Sequence, residues 1–324
     1  MRNARAAGSI YGRRQEVRTK ASFVMMVGAL WALPGSIVSA QTPGSPPGGP
    51  PAVSTSVAAG YLYQFGTAIS GGGDFRVSRA FASADATGTT GSKTVLGLGL
   101  TYDREEYAFS GSSGLVAFVP WGTIHRVGFS PSLVRSISPD WWLLVAPSIG
   151  YAGEEGADPG DALVYGAVVS VSKTVRRDLS LGLGTGVFRQ IGQWRVFPFL
   201  SVRWQINDRW RLSNPLRVGP AGPAGLELSY APDGNWEAAA GGAYRSYRFR
   251  LDEGGAVPGG VGEIRGIPLF ARLSRSWGQG WKADLYAGVA LGGKLGLENG
   301  RGDQIGSASY DPAPLAGLFV TKKF

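Results

Sequence analysis

His125 is the only imidazole in a chain of 324 residues that contains no cysteine. A histidine beside a serine could act as a hydrolase pair, with the ring as general base and the hydroxyl as nucleophile. Ser130 and Ser132 follow closely, but strand alternation places both on the face opposite His125. An interfacial histidine near a rim fits this pattern better, and a barrel lipid-modifying hydrolase using His125 is kept as an alternative. Without cysteine there are no thiolate metal sites, cysteine nucleophiles or disulfides. One histidine among scattered carboxylates builds no metal centre, so no catalytic residue, metal or cofactor is expected. Gly182-Leu183-Gly184-Thr185-Gly186 superficially suggests a nucleotide loop. Its glycines alternate along one strand face and open no helix, so the phosphate-binding context fails; they leave room for bulky neighbours such as Phe188. Arg301-Gly302-Asp303 is a tripeptide that arises by chance in such loops, and GPAGPAG at Gly219–Gly225 is too short for a triple helix.

A second set of residues carries more information. Arg126, Arg195, Arg203, Glu227, Glu237, Arg245, Arg272, Lys282 and Asp284 fall on the faces of predicted strands opposite long apolar rows. Charges gathered on one inner wall can line a water-filled path with a mild anion preference, or pair across a filled interior. Both readings stand at this point.

The elements that position these charges are strands. WRVFPFLSVRWQINDRW, from Trp194 to Trp210, splits by parity into two unlike faces. Trp194, Val196, Pro198, Leu200, Val202, Trp204 and Ile206 make a wholly apolar face with an indole near each end. Arg195, Phe197, Phe199, Ser201, Arg203 and Gln205 make the other. The ten residues from Trp194 to Trp204 span about 33 Å at a strand's rise. At a tilt of ~40° that becomes about 25 Å, the height of the apolar band on an outer-membrane barrel. Trp141 and Tyr151 repeat the ten-residue interval, and Trp210, Trp236, Tyr244 and Trp281 complete an expected set of membrane-interface aromatics.

The parity pattern predicts strands at 73–83, 93–103, 105–113, 123–136, 140–152, 161–174, 178–190, 194–206, 209–215, 223–231, 235–250, 265–277, 280–292 and 314–324. Tight turns near 137–139, 175–177, 207–208, 232–234 and 278–280 should form a periplasmic rim. Longer loops at 84–92, 152–160, 214–222, 251–264 and 293–313 should form the extracellular one. The fold class is therefore all-β: a transmembrane up-and-down antiparallel β-barrel of about 12–14 strands. A secreted soluble β-protein is the other alternative. Pro131, Pro147, Pro198 and Pro268 fall inside these strands. Proline removes a ladder donor, so they predict bulges or widened spacing at one height of the wall.

The net charge of +9 divides unevenly, with +5 in residues 1–40 and +4 spread over the rest. That scatter gives no basic patch for nucleic acid. Residues 1–40 read as a signal peptide, with a basic stretch, an apolar run from Ala21 to Leu33, and Val38-Ser39-Ala40 as the cleavage site. Residues 41–56 are a Pro/Gly/Ser-rich linker, and 57–324 are the barrel domain. No apolar run beyond the signal reaches the ~18 residues of a spanning helix.

LGLGTGVFRQIGQWRVFPFLSVRWQINDRWRL (181–212), LELSY (226–230) and GGAYRSYRFRL (241–251) resemble an uncharacterised, domain-of-unknown-function family of Gram-negative outer-membrane barrels. The resemblance implies location and fold, and it brings no ligand or activity. The chain ends LAGLFVTKKF, and a terminal phenylalanine closing an amphipathic strand resembles the signal read by the barrel assembly machinery. Lys322 departs from the apolar residue usual there. The expected reading is a passive pore for small solutes or a structural envelope barrel, without catalysis, whose partners are outer-membrane lipid, lipopolysaccharide and that machinery.

Overall fold

Nearly every described residue lies in a strand or in a short connection between strands. The structure is a computed structural model, and it describes residues 53–324 apart from 92, 119, 216–218 and 221–224. The expected signal peptide and most of the expected linker lie outside the described residues.

The strand segments are β1 (Val53–Ala68), β2 (Asp74–Thr90), β3 (Thr94–Ser110), β4 (Thr123–Ser136), β5 (Trp141–Glu154), β6 (Leu163–Arg176), β7 (Leu179–Gln190) and β8 (Gln193–Gln205). They continue with β9 (Trp210–Ser213), β10 (Gly225–Tyr230), β11 (Trp236–Ala243), β12 (Arg245–Arg250), β13 (Val261–Trp277), β14 (Trp281–Glu298), β15 (Gln304–Tyr310) and β16 (Ala313–Lys323). Each segment pairs antiparallel with its neighbour, β16 pairs with β1, and β13 pairs with both β11 and β14, so the sheet closes. β11 and β12 are two pieces of one strand interrupted at Tyr244, and both pair with β13. β15 and β16 are likewise two pieces of one strand along β14. The wall is a closed antiparallel barrel of fourteen strands, with both described chain ends on the rim of the tight turns.

The strand count agrees with the sequence reading, but two of the boundaries differ in compensating ways. β1 is a strand that the sequence reading leaves out, and its first four residues, 53–56, fall in the expected linker. Small residues, VSTSVAAG, carry little of the apolar alternation by which strands are recognised. In the other direction, 93–103 and 105–113 are one strand, β3, whose charged centre Asp103–Glu106 imitates a turn. The expected loops 84–92 and 293–313 are largely strand as well, since β2 runs to Thr90 and β14 to Glu298. The connection after β2 therefore lies on the tight-turn rim, not with the long loops.

Side chains divide by parity into two solvents. Leu96, Leu98 and Leu100 on β3, Trp194, Val196 and Leu200 on β8, and Ile267, Leu269 and Leu273 on β13 all face outward and are exposed. A soluble monomer rarely exposes a contiguous apolar patch beyond a few hundred Å², yet this belt encircles the wall. On the tight-turn rim Trp141, Trp210, Trp236, Trp277 and Trp281 are exposed. Cations lie over three of them: Lys173 over Trp141, Arg275 over Trp236 and Lys322 over Trp281, at 5.2–5.4 Å from the ring centroids. Trp194 stands at the other end of the belt, edge-on to Tyr165 at 6.1 Å. In the β10–β11 turn, the N–H groups of Trp236 and Asn235 bond to Asp233 and hold its carboxyl below the usual range.

The four prolines each sit at a defect in the ladder. Hydrogen-bonded rungs between β4 and β5, counted from the Ile137 N–H···O Trp141 bond, recur every second residue. That count reaches Pro131 opposite Pro147, where the recorded pairing lapses between Phe129↔Ile149 and Leu133↔Val145. Each proline lacks the donor its partner would have received, and the Ser130 hydroxyl donates to the Pro147 carbonyl instead at 2.9 Å. Pro268 aims at β11 where that strand breaks before Tyr244. Pro198 aims at the side of β8 on which β9 has already ended at Ser213. Register shifts among the described residues lie elsewhere, between Gln64 and Thr67, Thr174 and Arg176, Arg265 and Ile267, and Leu297 and Glu298, so of the expected bulges or widened spacing no bulge falls at a proline.

Candidate functional site: the filled lumen and its inward hairpin

A barrel of about eight strands is filled by its own wall side chains, and wider barrels leave space. Here chain as well as side chains occupies the interior. Every residue from Arg245 to Phe249 is buried, which a lipid-facing wall strand would not permit. The break at Tyr244 turns β12 out of the wall and into the lumen. It reaches β5, six places around the ring, where Arg250 pairs with Gly153. Phe249 is fully buried and packs on Trp121 at 5.2 Å and on Tyr107 at 6.3 Å. Trp121, in the connection after β3, also packs on Phe109 at 5.4 Å. Glu154 ties the two inward segments together, accepting from Gly122 N–H at 2.6 Å and Asp252 N–H at 3.0 Å. Phe75, Leu295, Leu297 and Tyr310 complete this apolar layer.

Three groups of charges lie with it. At the mouth, Arg248 is 1% exposed and bonds Glu298 through both terminal nitrogens, at 2.8 and 2.7 Å. It also reaches Glu263 at 3.2 Å, and Arg195 of β8 and Arg265 meet the same carboxylate at 3.2 and 2.8 Å. In the middle, Arg79 pairs with Asp103 and lies 3.7 Å from Glu105, which also pairs with Arg126. The Arg126 and Arg245 guanidinium carbons lie 4.3 and 4.4 Å from the Tyr247 ring centroid. Toward the tight-turn rim, Arg272 bonds Glu227 at 2.6 Å, Glu237 at 2.7 Å and Asp284 at 3.3 Å. Lys282 adds 3.0 Å to Asp284, and Arg211 adds 2.8 Å to Glu237.

The predicted inward residues are thus brought together into distinct groups. Glu227, Glu237, Arg272, Lys282 and Asp284 form one network. Arg126 and Arg245 flank Tyr247 in another, and Arg195 reaches the mouth. Arg203 is exposed near the tight-turn rim. Tyr244 departs from the expected aromatic girdle, since it packs against the upper interior cluster at the strand break. Tyr151 is half-buried at the loop end of β5, Trp204 is half-buried near the opposite end of β8, and Phe324 is exposed. His125 faces outward beside Tyr102, with 2.9 Å between ring nitrogen and hydroxyl. Ser130 and Ser132 are buried on the inner face, so these residues form no His–Ser pair.

Sequence reasoning missed Arg79, Asp103, Glu105, Arg248, Glu263 and Glu298. Asp103 and Glu105 straddle the supposed joint between two strands, and unbroken parity would have placed both inward. Arg248 has outward parity with Tyr244 in an uninterrupted strand, and only the break reverses it.

The glycines of the 182–186 run make room, as expected. A Cβ on Gly184 would meet the Phe199 ring at 2.3 Å, and one on Gly186 would meet Phe188 at 2.6 Å.

A closed antiparallel wall with an apolar outer belt, aromatic rims and a polar interior defines a transmembrane β-barrel of the outer-membrane type. Residues 117–237 match the model of a family described as a domain of unknown function (DUF6268). This agrees with the resemblance to uncharacterised outer-membrane barrels. No curated protein matches the sequence. Similar solved structures include the Pseudomonas putida toluene transporter TodX, with 8% identity, 85% of this chain and 90% of that one covered, and a TM-score of 0.45. The KdgM porin is 9% identical over 82% of this chain and 99% of that one, with a TM-score of 0.33. The translocator domain of autotransporter NalP from Neisseria meningitidis is 11% identical over 83% and 88%, with a TM-score of 0.36. The barrel assignment rests on this chain's own topology and surface.

Proposed function

We propose that this protein is a passive, non-catalytic conduit for small solutes in the outer membrane of a Gram-negative cell, closed in this conformation by the β12–β13 hairpin. The observation that carries the reading is a pair of defects at one level of that hairpin. One strand breaks at Tyr244; its partner carries Pro268 and the bulge between Arg265 and Ile267. A hairpin weakened across both strands can hinge there, and the Arg248–Glu298 pair latches it. Opening would expose a lumen lined by Arg195, Arg265 and the middle charge group. Single-channel recording tests this reading: brief, rare openings are expected of the wild type, and more frequent ones when the latch is removed.

Export by a cleaved signal peptide over residues 1–40 belongs to the same reading. Protein recovered from the outer-membrane fraction should begin at Gln41 on N-terminal sequencing, and an intact Met1 terminus would refute cleavage. Phe324, exposed at the end of β16 beside Lys322, suits an assembly signal. Its deletion should deplete the protein from that fraction while leaving the refolded barrel stable. Undiminished insertion would remove that role.

A further inference from the structure

Below the hairpin lies a cavity of about 80 Å³. Leu62, Val77 and Leu315 are part of its apolar wall, and Gln64, Arg79, Glu105, Arg245 and Arg265 also line it. Arg245 is 9% exposed, and among the described residues its one hydrogen bond goes to the Pro220 carbonyl. No described carboxylate forms an ion pair with it, because both carboxylates of that layer are committed elsewhere. Asp103 is held by Arg79, and Glu105 by Arg79 and Arg126. Arg79, Arg126 and Arg245 against Asp103 and Glu105 leave the layer with a formal excess of one positive charge, since Arg265 on the same wall is paired with Glu263 at 2.8 Å. A buried cation without a counterion is costly, and so is a buried donor without an acceptor. Gln64 Nε2 is such a donor, and Arg126 Nε and Nη1 are two more in the same layer.

We propose that this cavity binds a short-chain monocarboxylate. Its carboxylate would sit on Arg245 and Gln64, supplying the missing negative charge and acceptors. Its alkyl group would meet Leu62, Val77 and Leu315. A single excess charge favours a monoanion over a dianion. The volume is about half the ~150 Å³ of an engineered apolar cavity that takes up benzene, which fits an acid of two or three carbons. The site stands on the cavity and its charge balance, independently of whether the barrel conducts.

Calorimetric titration of the folded protein in detergent micelles with sodium propionate tests it, with propionamide, octanoate and chloride in parallel. Saturable propionate binding is expected, with none from the neutral amide or the longer acid and only weak binding of chloride. Arg245→Ala should weaken propionate binding about tenfold or more, as loss of a charged hydrogen bond implies. Gln64→Leu should weaken it severalfold. Arg245→Lys keeps the charge and should retain part of the affinity, so it carries the test if the alanine variant fails to fold. Absent propionate binding, equal binding of propionamide or chloride, or unchanged affinity in Arg245→Lys and Gln64→Leu would each overturn the proposal. Failure to conduct would leave it standing, and failure to bind would leave the hairpin reading standing.

Discussion

Arg248 and Glu298 meet in a two-pronged bond, Nη1 to Oε1 at 2.8 Å and Nη2 to Oε2 at 2.7 Å, that joins the inward β12 to the mouth end of β14. Parallel bonds between a guanidinium and a carboxylate are strong and geometrically selective. This pair is worth more than an exposed one, because Arg248 is almost wholly buried. It fastens the hairpin on the side away from β5, beside the ladder in which residues 261–265 pair with residues 294–298 of β14.

Removing one partner of a buried pair costs up to about 3–5 kcal/mol, and less here because Arg248 keeps Glu263 at 3.2 Å. Glu298→Gln should therefore loosen the hairpin and raise the rate at which protease cuts its exposed tip, residues 253–256. Glu298→Asp, which keeps the carboxylate, should lose much less of the protection. Cleavage at the wild-type rate in Glu298→Gln would show that the pair does not fasten the hairpin.

Ser130 replaces a ladder donor at the rung shared by Pro131 and Pro147. Ser130→Ala should destabilise the barrel by about 1–3 kcal/mol, the cost of a buried acceptor left unbonded, in equilibrium unfolding from lipid vesicles. Adding Pro131→Ala restores an N–H facing the Pro147 carbonyl and should recover part of that loss. A neutral single variant would mean that the carbonyl is satisfied otherwise.

Asn214 patches the wall where β9 has ended and β10 has not begun. Its side chain accepts from Val202 N–H at 3.0 Å and donates to the Leu200 and Gly225 carbonyls at 3.0 and 2.9 Å. Asn214→Leu keeps the bulk and removes all three bonds. It should lower the temperature of heat-modifiable migration and speed amide exchange at Val202, whereas exchange at Gly182 on the intact β7 side should change little. Uniform acceleration over both strands would indicate general unfolding instead of a local patch.

The wall was legible in the sequence because lipid imposes alternation on every strand it touches. β4, β6 and β7 carry that alternation without interruption, and their ends fall within two residues of the sequence reading. β1 escaped because its small residues satisfy a membrane face without announcing one. The lower charge network was legible for the same reason as the wall, since Glu227, Arg272 and Asp284 sit on uninterrupted strands. The hairpin was not, because RSYRFR continues the strand pattern in sequence and leaves the wall only through the break at Tyr244. That break depends on packing with Trp121, Tyr107 and β5, which are distant in the chain. The prolines were legible as a conflict with an edgeless barrel, and the structure resolves it by locating each one at a local end or lapse of pairing.

The central claim is that the hairpin closes a lumen that can conduct. Recording single channels from the purified wild-type barrel and from Arg248→Ala in the same planar bilayer tests it most directly. The account predicts a largely silent wild type and a variant that opens often, with a conductance matching the rare wild-type openings. A wild type that conducts continuously, or a folded Arg248→Ala barrel as silent as the wild type, would contradict it.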